Sequence, residues 1–404
     1  MLGDPYQYRD RRTEGIPERV DDVVPPQRLY EKTGIQRLPI NTLYQLVNMR
    51  QANDPRLEAA ETLLLVPDLF HYWMTGRIVA EYTNATTTQF YDARGQGWAL
   101  DLLEELDLST RLLPPVVAPG TILGELLPGV GEEAALRGSV PVIACATHDT
   151  ASAVAAVPGL DERSAYISSG TWSLVGVETR EPILSERARD LNFTNEGGVG
   201  GTIRFLKNVT GLWLLQECQR RWQREGKAYT WPDLVALAEQ AAPFRSLVDP
   251  DAPEFVNPGD MPKAIREYCR RNRQAEPESD GELVRCCLES LALKHRWVLA
   301  ALEELTDRRL DTIRIVGGGS QNELFCQLTA DACQRTVVAG PVEATALGNI
   351  LVQALAGGYV PDIAAGRRGV AASEEQEIFE PRDSDDWDVV ITRFDELLRA
   401  GDRR

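Results

Sequence analysis

The 404-residue chain carries 43 Lys plus Arg against 61 Asp plus Glu, a formal net charge of −18; this repels phosphate backbones and anionic membrane surfaces, so nucleic acid and membranes are excluded as expected partners. A small anion such as ATP stays admissible, because backbone amides and a metal ion hold phosphates inside net-acidic proteins. Seven cysteines include no C-x-x-C pair and only His71, His148 and His295 could join them, which disfavours structural zinc. The cysteines sit on apolar segments such as LVRCCLESLAL and read as core residues of a reducing compartment, with a Cys269–Cys286 bridge as the open alternative. No basic, apolar leader and no 18-residue apolar window is present, so a soluble, cytoplasmic protein is expected. The length exceeds one ordinary core and predicts two domains.

Residues 1 to 62 are polar, rich in Arg, Gln and Pro, and lack an apolar run long enough for a central strand. From Thr62, LLLVPDLFHYWMTG predicts a short helix or strand, RIVAEYTNATTTQFYD follows, and ALDLLEELD predicts an amphipathic helix. PVIACA (141–146) reads as a buried strand, so the first 150 residues offer two credible strands, too few for an independent sheet. At its carboxyl end comes CATHDTASAV (145–154), the position where α/β sheets hold ligands. Ala151, Ser152 and Ala153 admit the close approach of another backbone or of a ligand. Asp149 has two readings, a carboxylate for chemistry or the N-cap of a helix beginning at Thr150.

SAYISSGTWSLVGVE (164–178) predicts a hairpin turning at Ser169-Gly170-Thr171. The turn Ser168 to Thr171 offers amides and hydroxyls to a phosphate, or is a plain β-turn. NEGGVGGTIRFLKN (195–208) leads into the helical pattern GLWLLQECQRRW; Asn208 and Gln216, nearly two helical turns apart, would share one face, as binding groups or as surface polar residues. A helix (ELVRCCLESLALKHRWVLAALEEL), a strand (TIRIVGGG), a helix (NELFCQLTADAC), a strand (TVVAG) and a helix (ATALGNILVQALAGG) then alternate as in an α/β fold. Gly317, Gly318 and Gly319 follow a strand and precede a helix, which suits backbone approach to a ligand, or a connector. Glu343, Thr345 and Asn349 read as caps and packing contacts. WDVVITRFDELLRA, apolar at Val390, Ile391, Phe394, Leu397 and Leu398, is an amphipathic helix. The absence of G-x-x-x-x-G-K-[ST] rules out a P-loop enzyme.

In order along the chain, NTLYQL (41–46), YTNATTTQ (82–89), HDTASAV (148–154), SSGTWSLVG (168–176), TNEGG (194–198), KNVTGLWLLQ (207–216), IVGGGSQN (315–322) and DAC with AGPVEATALGNI (331–350) resemble the FGGY carbohydrate kinases, and within them the rhamnulose-phosphorylating branch. The likeness runs from Tyr8 to about Gly358. It implies an α/β chain of two actin-like (ribonuclease H-like) domains with a central cleft: an amino-terminal domain over 1–155, a carboxy-terminal domain over 156–365, and an extension over 366–404 with the amphipathic helix. The activity implied is ATP-dependent phosphorylation of a ketose, L-rhamnulose to L-rhamnulose 1-phosphate. A kinase for fuculose or xylulose, and a non-catalytic ATP- and sugar-binding homologue, are the other readings.

Carried over residue by residue, the resemblance makes Asp149 the general base. His148, Asp149, Thr150 and Asn208 would contact the sugar, and Thr171, Gln216 and Gly318 would contact ATP. Mg²⁺ would bridge the phosphates mostly through water, with no protein ligand assigned. One departure stands out: the family's opening D-x-G-x-(S/T) strand and loop and its D-T-W-G block are absent, and the first recognisable block, YRDRRT (8–13), belongs inside the family's first domain. The first domain is therefore expected to be incomplete and the chain amino-terminally truncated, with poor solubility and little activity as the consequence.

Overall fold

A computed structural model describes residues 1–8, 10–382 and 386–401. The chain divides into two compact units, one of Met1–Pro158, Glu178–Leu206 and Thr345–Val370, the other of Gly159–Val177, Lys207–Ala344 and Ala371–Arg404. These compact units interleave along the chain. The reason is local packing: the helix Ala344–Ala356 leaves the second unit's sequence to lie against residues of the first.

In the first unit the polar start folds as helices Ile16–Asp21, Pro26–Thr33 and Thr42–Gln51. Their few apolar side chains recur every three or four residues, as in Ile16 and Val20 or Leu43 and Val47, and gather with Val24, Phe90, Leu102 and Leu103 into one core. LLLVPDLFHYWMTG resolves as the helix Val66–Thr75, with Pro67 in its first turn and Gly76 at φ 73° closing it. Among the described residues before 150, six strands occur where two were expected: β1 (Ala80–Glu81), β2 (Tyr91–Asp92), β3 (Gly97–Trp98), β4 (Val116–Val117), β5 (Thr121–Glu125) and β6 (Pro141–Ala144). They pair as β1 with β4, β2 with β3, and β5 with β6. Two-residue ladders carry no alternation that a sequence could display.

The larger sheet is built from the predicted hairpin and the later alternation. Its strands are β7 (Ser164–Ser169), β8 (Trp172–Thr179), β9 (Thr194–Gly197), β10 (Ile203–Thr210), β11 (Thr312–Val316), β12 (Thr336–Ala339) and β13 (Glu377–Phe379), ordered β13-β12-β11-β7-β8-β10-β9. β7, β11 and β12 run parallel, whereas β8, β9 and β13 are antiparallel to their partners.

The second unit's long helix Asp280–Thr306 is buried on nearly every side, so its interior polar groups need partners. Glu289 accepts from Arg285 Nε at 2.6 Å and from Phe244 N at 2.8 Å. Lys294 Nζ lies 2.9 Å from Asp249 Oδ1 and 3.1 Å from Asp251 Oδ2. Burial pushes His295 down to about 3, so this imidazole is neutral. All seven cysteines are free, which removes the Cys269–Cys286 alternative. Six are buried as expected, and Cys145 is half-buried. Among the described residues no helix is long and apolar enough to cross a membrane.

Candidate functional site

β6 ends at Ala144, and the chain then turns through Thr147 and His148 into the short helix Asp149–Ala155. His148 is its N-cap and Asp149 its first residue, so Asp149 is not the cap that its sequence position suggested. Its Oδ1 accepts from Thr150 N at 2.6 Å and from Thr150 Oγ1 at 3.3 Å, which orients an otherwise exposed carboxylate. Thr150 is buried and spends its hydroxyl on that carboxylate.

The run of small residues after Asp149 now has an explanation: another backbone comes close. A Cβ at Gly348, in the helix Ala344–Ala356, would fall well inside contact distance of the Ser152 carbonyl. Ala146, Ala151 and Ala155 form a small cluster with Val352 of that same helix. Thr345 Oγ1 donates to Asp149 O at 3.3 Å, and Asn349 Nδ2 stands 3.0 Å from Cys145 Sγ. Arg367 closes the other end of the Asp149 helix, donating to Val154 O at 2.9 Å and Ala155 O at 3.2 Å while pairing with Glu178 at 2.8 Å.

The loop before Asp149 is fixed by a wholly buried carboxylate, Glu81. Its oxygens accept from Thr83 N (2.9 Å), Thr83 Oγ1 (2.5 Å), Thr147 N (3.0 Å) and Thr147 Oγ1 (2.7 Å). Burial raises the Glu81 pKa, while these four bonds oppose the rise. Thr83 Oγ1 in turn accepts from His148 N at 3.2 Å.

The His148 side chain faces a second buried charge. Arg204 on β10 is fully buried; its Nη2 lies 3.0 Å from His148 Nδ1 and 3.0 Å from Glu196 Oε2 on β9, and its Nε donates to Gly197 O at 2.9 Å. Burial, and then Arg204, push the His148 pKa below its ordinary value. Glu81, Glu196 and Arg204 were not singled out as individual residues in the sequence. The signal for Arg204 was present: a cation inside the apolar strand run TIRFL has to be buried and paired.

The second unit carries the other group of residues. Thr171 Oγ1, in the turn after β7, donates to Gln216 Oε1 at 3.1 Å on the helix Trp213–Arg224. Gln216 and Gly318 line one pocket of about 570 Å³ with Gly170, Trp231 and Asn322, a size that suits a nucleotide-sized ligand. The three glycines differ in environment. Gly317 has φ +86°, which favours glycine, and a Cβ at Gly319 would collide with the Ser169 side chain. Only Gly318 faces open space. The triplet is therefore no loose connector.

The structure thus groups His148, Asp149 and Thr150 in the first unit, and Thr171, Gln216 and Gly318 in the second. Asn208 lies on β10 in the second unit, not on a helical face shared with Gln216, because the helix begins only at Trp213. A further cavity of about 800 Å³ in the first unit, beside Tyr82, Arg94 and Arg180, is lined by none of these residues.

The N-terminal domain of the FGGY family of carbohydrate kinases matches residues 2–156, and the C-terminal domain of that family matches residues 165–357. A rhamnulokinase of Bacteroides thetaiotaomicron is 45% identical over 399 residues, covering 99% of this chain and 81% of the relative. One of Pectobacterium carotovorum is 45% identical over 400 residues, covering 98% and 78%. Among solved structures, a ligand-bound xylulose kinase of Lactobacillus acidophilus superimposes with a TM-score of 0.77 at 14% identity, over 100% of this chain and 79% of that one. At that identity the likeness establishes the fold alone.

Proposed function

The chain belongs to the FGGY family of carbohydrate kinases, and from that premise we propose that it transfers the γ-phosphoryl group of ATP to the primary hydroxyl of L-rhamnulose, giving L-rhamnulose 1-phosphate. The observation that carries the choice of sugar is the 45% identity, over nearly the whole chain, to proteins named rhamnulokinase. Asp149 is the general base. Its carboxylate is exposed and oriented by Thr150, and it takes the hydroxyl proton as that oxygen attacks phosphorus. His148, Thr150 and Asn208 contact the ketose.

Thr171, Gln216 and Gly318 hold the nucleotide. The pocket of the second unit supports this assignment: a hydroxyl and a carboxamide already paired stand beside a glycine with nothing in front of it. Such a surface accepts a flat base or a phosphate without steric conflict. Among the described residues no group of three or more His, Cys, Asp or Glu is arranged to hold a metal. Mg²⁺ would enter on the phosphates of the nucleotide, keeping most of its own water.

The test is an ADP-release assay with L-rhamnulose, L-fuculose and D-xylulose offered separately. Turnover highest on L-rhamnulose is the expected result. Preference for another ketose would reassign the substrate, and ATP binding with no turnover on any sugar would leave a binding protein.

A further inference from the structure

We propose that Arg204 sets the hydrogen-bond polarity of His148: by donating to Nδ1 it places the ring proton on Nε2, so that His148 offers the ketose a donor, and Arg204 is a positioning residue for sugar recognition. The inference rests on the reading above that His148 contacts the ketose. It concerns an arginine that itself makes no contact with substrate.

The geometry leaves little freedom. A guanidinium only donates, so at 3.0 Å from Arg204 Nη2 the His148 Nδ1 has to present its lone pair. The neutral ring then carries its hydrogen on Nε2. Among the described residues Nε2 has no hydrogen-bond partner in the chain, and the side chain is 24% exposed. Arg204 cannot swing away, because Gly197 O and Glu196 hold it inside the sheet.

The charged and titratable groups facing the ring are Arg204 from β10, Glu196 from β9, with Oε2 3.8 Å from Nδ1, and Asp149 on its own helix. Arg204 disfavours a second ring proton, whereas Glu196 and Asp149 favour one. Burial, and then Arg204, outweigh the two carboxylates and hold the ring's pKa below its ordinary value, so the ring is neutral around pH 7. Take Arg204 away and Glu196 becomes the nearest partner of Nδ1. The proton moves to that nitrogen, Nε2 turns into an acceptor, and the ring also protonates more readily.

The consequence has an unusual sign. In Arg204→Met at pH 8 the ketose meets the wrong end of a hydrogen bond, so KM for the sugar rises about tenfold, the scale of one mismatched buried polar contact, while kcat stays within about twofold because Asp149 is untouched. As the pH falls and the ring takes up its second proton, a hydrogen returns to Nε2 and KM recovers toward the parent value. The parent enzyme shows no such recovery.

Two measurements decide it. Nitrogen-15 spectra of the full chain contain three histidines, and His148→Gln identifies which signals belong to His148. The expected spectrum has a pyridine-like Nδ1 and a pyrrole-like Nε2 at neutral pH; a protonated Nδ1 overturns the proposal. This arm stands even if no ketose is phosphorylated, in which case the functional reading fails and the tautomer assignment is judged alone. The kinetic arm compares Arg204→Met with Arg204→Met/Glu196→Gln, which leaves no buried unpaired charge and lets the introduced side-chain amide donate to Nδ1. Recovery of sugar KM and loss of its pH dependence in the double variant support the proposal. A KM raised equally at every pH in both variants, or a loss confined to kcat, makes Arg204 a structural residue only.

Discussion

The two residue groups are built on opposite plans. In the first unit the surroundings of Asp149 are made of side chains that hold one another: Glu81 takes four hydrogen bonds, Arg204 is pinned between Glu196 and Gly197, and Arg367 closes the helix behind. In the second unit the pocket has side-chain walls such as Trp231 and Asn322, but part of its lining is bare backbone, at Gly170 and at Gly318, which faces open space. A site that must move a proton at one atom needs fixed dipoles around that atom. A site that must hold a flat, charged molecule needs unobstructed backbone. The lesson is a rule about mutation: the first region is damaged by taking atoms away, the second by adding them.

The sharpest way to break that contrast is Asp149→Asn. The amide keeps the volume and cannot take the proton, so turnover falls at least about a hundredfold while ATP affinity, measured by calorimetry, stays the same. Turnover near the parent level would reduce Asp149 to a helix-terminal residue.

Next in size is Glu81→Gln. Either orientation of the amide sets an NH₂ against donors on Thr83 or Thr147, so about 1–3 kcal/mol of stability is lost. Thermal melting reads this loss. Turnover should fall with it, because Thr147 and Thr83 carry the backbone of His148. An unchanged melting temperature would mean that the fixed network is not what holds the loop.

The smallest effect sharpens the comparison most, because it separates neighbouring residues. Gly318→Val adds atoms only where a ligand would be, so ATP affinity drops about tenfold, the low end of overpacking costs, with no change in melting. Gly319→Val pushes on Ser169 and lowers the melting temperature itself. Equal behaviour of the two variants would make the glycine triplet a structural hinge.

Much of the second region was legible in the sequence and rather less of the first, for a physical reason. Hairpins, strand-helix alternation and glycine turns are local, and the stretch 164–179 declares itself by β-branched and aromatic runs around a glycine. His148 and Asp149 were also readable as a block. What surrounds them was not, because Glu81, the paired Glu196 and Arg204, and Gly348 arrive from three separate segments and meet around His148 and Asp149 only by packing. Of the short strands before residue 150, PVIACA was readable as β6, whereas the two-residue strands β1 to β4 escaped for a related reason, since so short a pair shows no period. Asn208 was misplaced because helical spacing was applied across a strand end that the sequence does not mark.

One detail of the second unit's pocket, proposed above to hold the nucleotide, bears on time rather than on energy. Gly211 N donates to Thr171 O at 3.0 Å and Leu212 N to Gly170 O at 3.0 Å, so the hairpin turn is clipped to the start of the helix that carries Gln216. These are backbone bonds with no side chain to rotate out of the way. The turn is therefore more restrained than a free loop, and opening it requires both bonds to break. A nucleotide arriving at such a surface meets its partners already in place. Association then runs at the pace of diffusion and docking, little ordering entropy is spent on binding, and discrimination among nucleotides falls to how long each one stays.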